Sequence, residues 1–438
     1  MDIFIGVVVG LIVLMILVVA HEFGHFIASR RNGVNVLEFG IGFPPRAIAW
    51  IKDPKTHKWH RLKKSEWGKS TITKTVGVER RESTQSVAKK AEEQKALESA
   101  KNREKIIQDG LVFSINWLPI GGFCQMDGES AEDSRKGTFG HANFWKKTKI
   151  LFAGVAMNWL VAFVILTILA WVGMPTFLDN QFTVAEDTRQ DVKPVRIASV
   201  HENSPAATAG ILEGDYILKV NGEEVKSGRE VIAVTEDHAG EEVNLEIKRG
   251  ETSEVTDLNI TLNPADSEYL LGVSMQSSEV LSYSSWSAPI VGAGLTLQIT
   301  GETFRGLGEL VWNLVTGIGR QFSFDGSVRE SGREAISSAG DSVTGPVGIL
   351  GILFPSFVSG GPRDIAFIAA LISISLACMN VLPIPALDGG RWVLIGIYKL
   401  RRKKLTKDIE EKIVARAFIV LLAIIVLVTI LDITRFFR

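Results

Sequence analysis

The sequence predicts a polytopic α-helical membrane protein of about four transmembrane helices with an inserted α+β domain. Three observations predict it: four apolar runs of membrane length, basic residues gathered at one set of their ends, and a stretch of alternating apolar residues and turn signals between the second run and the third. The chain has 438 residues, of which 46% are hydrophobic and 22% charged, and a formal net charge of -1. That balance gives no bulk attraction to polyanions, so nucleic acid is not an expected partner. Two cysteines, Cys124 and Cys378, are too few for a disulfide framework or a cysteine metal cluster.

The first run, Ile3 to Ala20, carries no charge. Continued to Ala28 as one helix, it would be roughly 39 Å long at about 1.5 Å per residue, more than a hydrocarbon core of about 30 Å. A signal peptide would begin with basic residues and end in a small-residue cleavage site. This stretch begins MDIF and runs into HEFGH, so residues 1–31 are read as the first transmembrane helix. Residues 150–174, 365–400 and 413–433 supply the other three. Arg30, Arg31 and Arg46 follow the first span, Lys146, Lys147 and Lys149 precede the second, and Arg391, Lys399, Arg401 and Arg402 lie between the apolar part of the third, Ile365 to about Leu382, and the fourth. Basic ends stay in the cytoplasm, which puts the segment from Pro175 to Asp364 outside.

Residues 32–149 then form a cytoplasmic loop. Within it, residues 52–110 are mostly polar, rich in helix formers and without an apolar stripe, which predicts a charged helical insertion. His57 and His60 lack a third partner nearby and are read as surface residues. Residues 277–364 form an amphipathic, membrane-associated connector, in which WSAPIVGAGLTLQITGETFRGLGELVWNLV is suited to lie on a membrane rather than cross it. Residues 194–276 alternate apolar positions around Gly210, Gly214 and the turn pair Asn221 and Gly222. The stretch NSPAATAGILEGDYILKVNGEEV resembles the middle of a PDZ domain. Such domains bind peptides as an added β-strand and hold a terminal carboxylate on loop amides. The resemblance makes YLLGVSM that loop, and Leu271, Gly272 and Val273 its peptide-binding residues; the other reading is a plain closing strand.

HEFGH carries the chemistry. His21 and His25, four apart on one helical face, can present two imidazoles to one zinc ion, and Glu22 lies one position round, where it can take a proton from an attacking water. A charged group in mid-membrane costs about 2.5–3.5 kcal/mol on insertion scales, so three ionisable side chains here require a partner or a purpose. Catalytic zinc usually takes three protein ligands and leaves one position open. The third ligand must lie at similar depth, and Asp388 in NVLPIPALDGGRW does, just before Arg391 at the cytoplasmic end of the third span. There Pro383 and Pro385 interrupt the helix, and Gly389 and Gly390 permit a turn.

Together HEFGH, LPIGGFCQMDGE, FAGVAMN, NVLPIPALDGG and an outward PDZ domain resemble the bacterial site-2 protease family of intramembrane zinc metalloproteases over most of the chain. By position, the resemblance implies His21, His25 and Asp388 as zinc ligands and Glu22 as catalytic base. It implies that Asn380 positions the substrate backbone or stabilises the oxyanion. It implies for Asn158 a supporting polar role beside the site, the other reading being a packing residue. Gly121 and Gly122 would belong to a membrane-dipping β-hairpin, about residues 111–129, that pairs with an extended substrate. The implied activity is cleavage of single-span membrane proteins, such as anti-sigma factors or signal-peptide remnants, in the bacterial cytoplasmic membrane, with the PDZ domain extracytoplasmic. GPVGI at 345–349 matches a family stretch of underived role. The competing function is a non-proteolytic PDZ-bearing membrane adaptor that binds peptide C-termini. Glu213 and Asp215, read as lying at the PDZ groove edge, offer no cation for a carboxylate, which favours a domain that filters substrates by size over one that recruits them.

Overall fold

The computed structural model describes residues 2–64, 110–130 and 133–436, apart from residues 179, 193, 226, 251, 253, 268, 277–279 and 342–344. Most of the charged insertion expected at 52–110 therefore lies outside the described residues. Helix α1 (Asp2–Arg31) leads to strands β1 (Val36–Lys52), β2 (Trp59–Arg61) and β3 (Leu111–Met126), then to helix α2 (Phe144–Val172). Next are β4 (Met174–Pro175), β5 (Arg189–Val192), β6 (Val195–Val200), α3 (Pro205–Thr208), β7 (Tyr216–Val220), β8 (Glu223–Glu224) and α4 (Gly228–Asp237). Strands β9 (Glu242–Lys248), β10 (Val255–Thr261), β11 (Val273–Gln276) and β12 (Val280–Tyr283) follow. The remainder is helical: α5 (Ala288–Gln321), α6 (Gly326–Asp341), α7 (Pro346–Gly348), a π turn (Ile349–Leu353), α8 (Phe354–Gly360), α9 (Pro362–Val381), α10 (Asp388–Leu400) and α11 (Lys407–Phe436). The chain divides into two compact units, Met1–Ile165 with Thr296–Arg438, and Leu166–Leu295.

Among the described residues, four helices are long and apolar enough to cross a membrane: Ile3–Arg31, Pro362–Val381 and Lys407–Ile430 in the first unit, and Phe144–Val172, which begins in the first unit and ends in the second. Exposed Ile3, Phe4, Ile12 and Ile16 give α1 the apolar surface that lipid favours. The segment expected over 365–400 breaks at the prolines that were read as interrupting it and forms two helices. Pro383 and Pro385 cannot donate to an α ladder, so α9 stops at Val381 and α10 starts afresh at Asp388. The glycines after Asp388 answer a further need besides the expected turn. A Cβ on Gly389 would stand 2.1 Å from the Val381 carbonyl oxygen and one on Gly390 1.9 Å from that of Ile384, so the loop folds back onto α10 only where side chains are missing. GPVGI also acquires a local reason. The Gly345 and Gly348 amides donate to the buried Asp432 carboxylate of α11, at 3.2 and 2.9 Å, which satisfies free N–H groups where the α7 segment begins.

A three-stranded sheet, ordered β2-β1-β3, stands where the sequence was read as loop and hairpin. Strands β1 and β3 both fold back on themselves, so Gly40 registers with Ser114 and with Phe123, while Trp50 registers with Phe113. Residues 36–41 thus lie between 112–115 and 122–126. The reversals contain Gly42 (φ 76) and Gly121 (φ 87), backbone conformations that glycine adopts without steric cost. Inside the sheet, buried Glu38 accepts from Arg46 Nε at 2.9 Å and Ser114 Oγ at 2.6 Å. A buried carboxylate is tolerable because it is paired and hydrogen-bonded. The beginning of the 52–110 stretch joins this sheet as β2, where Ile51 registers with His60.

The second unit contains a sheet ordered β10-β9-β7-β6-β11, with β8 on β7. Alternation along its strands sends Val195, Ile197, Ile217, Val220, Val243, Leu245 and Ile247 into a core completed by Ala206 of α3 and Val231 of α4. Asn221 (φ 51) and Gly222 (φ 81) form the two-residue hairpin turn between β7 and β8 that this residue pair favours. Ser204 and Ser227 cap α3 and α4 through the Ala207 and Glu230 amides. Asp215 is 2% exposed and bonded to Arg249 Nη1 at 2.6 Å and to the Leu212 and Gly250 amides. It is an internal brace of the domain and not, as expected, a residue of the groove edge.

Candidate metal centre

One turn of α1 presents His21 and His25 on the same side, both buried, with ring centroids 4.8 Å apart. Asp388, the first residue of α10, reaches the same point from the far end of the chain. His21 Nε2 lies 3.1 Å from Asp388 Oδ2, His25 Nε2 lies 3.2 Å from that oxygen, and the two Nε2 atoms are 3.1 Å apart. The Asp388 side chain is 22% exposed, so the cluster is not sealed.

The donor set can be tested for a metal. A neutral imidazole has one N–H and one lone pair. The Ile150 carbonyl, 2.8 Å from His25 Nδ1, only accepts, so neutral His25 carries its proton on Nδ1 and offers its Nε2 lone pair to the cluster. Around a tetrahedral zinc with bonds of about 2.0–2.1 Å, ligand atoms stand about 3.3 Å apart. Two imidazole nitrogens and a carboxylate oxygen at the observed spacings repel one another unless a cation or proton lies among them. The residues fit zinc in ligand type, number and separation.

Two glycines make the approach possible. A Cβ on Gly24 would lie 2.3 Å from the Ala153 carbonyl oxygen, so α1 and α2 cross at backbone distance. A Cβ on Gly154 would lie 2.6 Å from both His21 Nε2 and His25 Nε2. Sequence reasoning missed Gly154, Gly24 and the Ile150 carbonyl as parts of the site. The first two sit inside the quoted motifs FAGVAMN and HEFGH, and their spacing from Asn158 and His25 was the available signal.

Glu22 is partly buried beside His21, His25 and Asp388, and the Cys124 backbone amide is directed at its carboxylate. Cys124 belongs to the 122–126 segment of β3, whose other edge has no strand partner among the described residues. Gly121 and Gly122 pack on α1 just before HEFGH, their Cβ positions 3.2 Å from Val18 Cγ1 and Val19 Cγ2. Asn158 is fully buried in α2, with its amide nitrogen 3.3 Å from His21 Nδ1. Asn380 lies in the last turn of α9, where its amide donates to the Leu376 carbonyl at 3.0 Å rather than to the cluster. In the second unit, Leu271 and Gly272 form the loop into β11 and Val273 opens that strand. Their carbonyls are taken by Ala206 N (from Leu271, 3.0 Å) and His201 N (from Gly272, 2.9 Å). Gly272 has φ 78, and a Cβ there would meet that of Ser204 at 2.1 Å.

The family described as peptidase family M50 matches residues 9–61 and 100–425. The regulator of sigma-W protease RasP of Bacillus subtilis is 26% identical over 466 aligned residues, covering 99% of this chain and all of that one. The zinc metalloprotease RasP of Shouchella clausii is 28% identical, covering 96% of this chain and 97% of that one. Among solved structures, the PDZ domain of an SdrC-like protein from Listeria innocua is 30% identical over 19% of this chain and 93% of its own, with a TM-score of 0.17.

Proposed function

Because the chain belongs to peptidase family M50, we propose that it is an intramembrane zinc endopeptidase of the bacterial cytoplasmic membrane that cuts single-span membrane proteins, such as anti-sigma factors or signal-peptide remnants. The observation that carries this reading is the convergence of His21 Nε2, His25 Nε2 and Asp388 Oδ2. Zinc held there would act as a Lewis acid toward the scissile carbonyl and would lower the pKa of water from about 15.7 to about 7. Glu22 takes the proton of the attacking water and returns it to the leaving amide nitrogen. Asn380, at the end of α9, orients the substrate backbone or its developing oxyanion.

A transmembrane helix satisfies its own backbone, so a substrate must unwind locally before attack. Residues 122–126 supply a strand edge without a strand partner among the described residues, beside Glu22, and the Gly121–Gly122 turn lies against α1, which supports strand addition as the means of holding the unwound segment. Residues 194–276 act as an extracytoplasmic PDZ domain in which the edge of β11 that has no strand partner among the described residues, entered through Leu271, Gly272 and Val273, takes a peptide.

Glu22→Gln tests the reading. It retains shape but removes the proton acceptor, so cleavage of a single-span substrate in liposomes is expected to fall by at least about 10²-fold with zinc content unchanged. Cleavage at the parent rate by this variant would reject Glu22 as the base.

A further inference from the structure

Each of the three ligands must offer a lone pair to the metal. Asp388 does so as a carboxylate, and His25 does so because the Ile150 carbonyl holds its proton on Nδ1. For His21 the corresponding partner is Asn158, fully buried, 3.3 Å from Nδ1. If the amide turns its Nδ2 toward His21, Nδ1 accepts, a neutral ring carries its proton on Nε2, and no lone pair faces the cluster. If it turns its Oδ1, Nδ1 donates and Nε2 is free. In the first orientation Oδ1 is buried without a donor. A half-turn of the amide therefore sacrifices no hydrogen bond of its oxygen.

We propose that Asn158 is a positioning residue for the metal site: its Oδ1 accepts the Nδ1 proton of His21 and fixes the tautomer that leaves Nε2 available. Gly154 and Asn158 are four residues apart on one face of α2, so one helix both makes room for the imidazoles and orients one of them. The assignment rests on the zinc reading above and separates Asn158 from the substrate-contacting groups. An outer partner of this kind raises ligand basicity and holds ring orientation, and its loss typically weakens metal binding about 10–100-fold.

The test is zinc affinity of the full-length protein by chelator competition, for the parent, Asn158→Asp and Asn158→Leu. Aspartate can accept the Nδ1 proton but cannot donate an amide proton, whereas leucine does neither. The expected result is affinity in Asn158→Asp at least equal to the parent, and affinity in Asn158→Leu about 10–100-fold weaker. Parent-like affinity in Asn158→Leu, or equal weakening in both variants, would overturn the proposal. Should Asn158→Leu fail to assemble, Asn158→Asp alone decides, because its retained affinity supports an accepting Oδ1 and its loss of affinity denies it. A parent chain that binds no zinc would instead defeat the metal reading itself, an outcome distinct from a zinc-binding parent whose variants do not change.

Discussion

Gly154 leaves no space for even one carbon, since a Cβ would stand 2.6 Å from His21 Nε2 and from His25 Nε2. Gly154→Val is therefore expected to push the imidazoles apart, with loss of zinc and a fall in cleavage of about 10²-fold, the cost of displacing a reacting geometry by about 1 Å. Gly301→Val is the control, because no atom of the described residues stands within 4 Å of a Cβ at Gly301. Zinc analysis of the two purified proteins checks this, and equal zinc content in both would show that Gly154 is not a spacer for the site. At this scale the candidate site was partly legible. His21, Glu22 and His25 declare themselves because helical periodicity alone puts them on neighbouring positions, and Asp388 follows from matched depth. Gly154, Gly24 and the Ile150 carbonyl act across the α1–α2 crossing, which no local pattern encodes. Gly389 and Gly390 were read as permitting a turn, and the structure adds why they are small: each faces a carbonyl from several residues earlier in the chain.

The entry to α5 depends on one loop carboxylate. Asp187 accepts from the Ser285 amide at 2.8 Å, the Ser287 amide at 3.0 Å, Ser287 Oγ at 2.6 Å and Ser285 Oγ. These bonds, led by that from Ser285, hold its pKa down to about 2. A pKa lowered by folding gives stability that is complete above the ordinary carboxylate value of about 3.9 and is lost as pH falls through about 2. Amide-exchange protection of residues 285–288 in the whole protein, compared with Asp187→Ala at each pH, is expected to show a gap above about pH 4 that closes toward about pH 2. A gap constant over that interval would contradict the clamp. Elements with strong local signals, such as the apolar helices and the Asn221–Gly222 hairpin, were legible in the sequence. The β1–β3 sheet was not, because its strands pair across a long insertion and their fold-backs bring residues 36–41 between two parts of β3. Asp187 escaped notice because its partners are about a hundred residues away.

At the scale of the whole molecule, the sequence motifs and the family match agree on a metalloprotease of peptidase family M50, and the remaining question is how the second unit serves it. Asp215 is withdrawn into an ion pair with Arg249 while Glu213 stays exposed, which leaves the size filter resting on Glu213 alone. The end position of β11 in its sheet instead supports recruitment of a trimmed segment by strand addition. Replacing residues 194–276 by a flexible bridge is then expected to slow cleavage of pre-trimmed substrates, whereas a filter would let untrimmed ones be cut; side-by-side rates for long and pre-trimmed forms of one substrate distinguish the two. The central claim is that residues 367 positions apart, His21 and Asp388, hold one zinc ion with His25. Metal analysis of purified Asp388→Asn beside His21→Ala tests it most directly. Zinc lost from both variants, with cleavage lost as well, is the predicted result, since each removes one of three ligands. Full zinc content and parent-like cleavage in Asp388→Asn would contradict it.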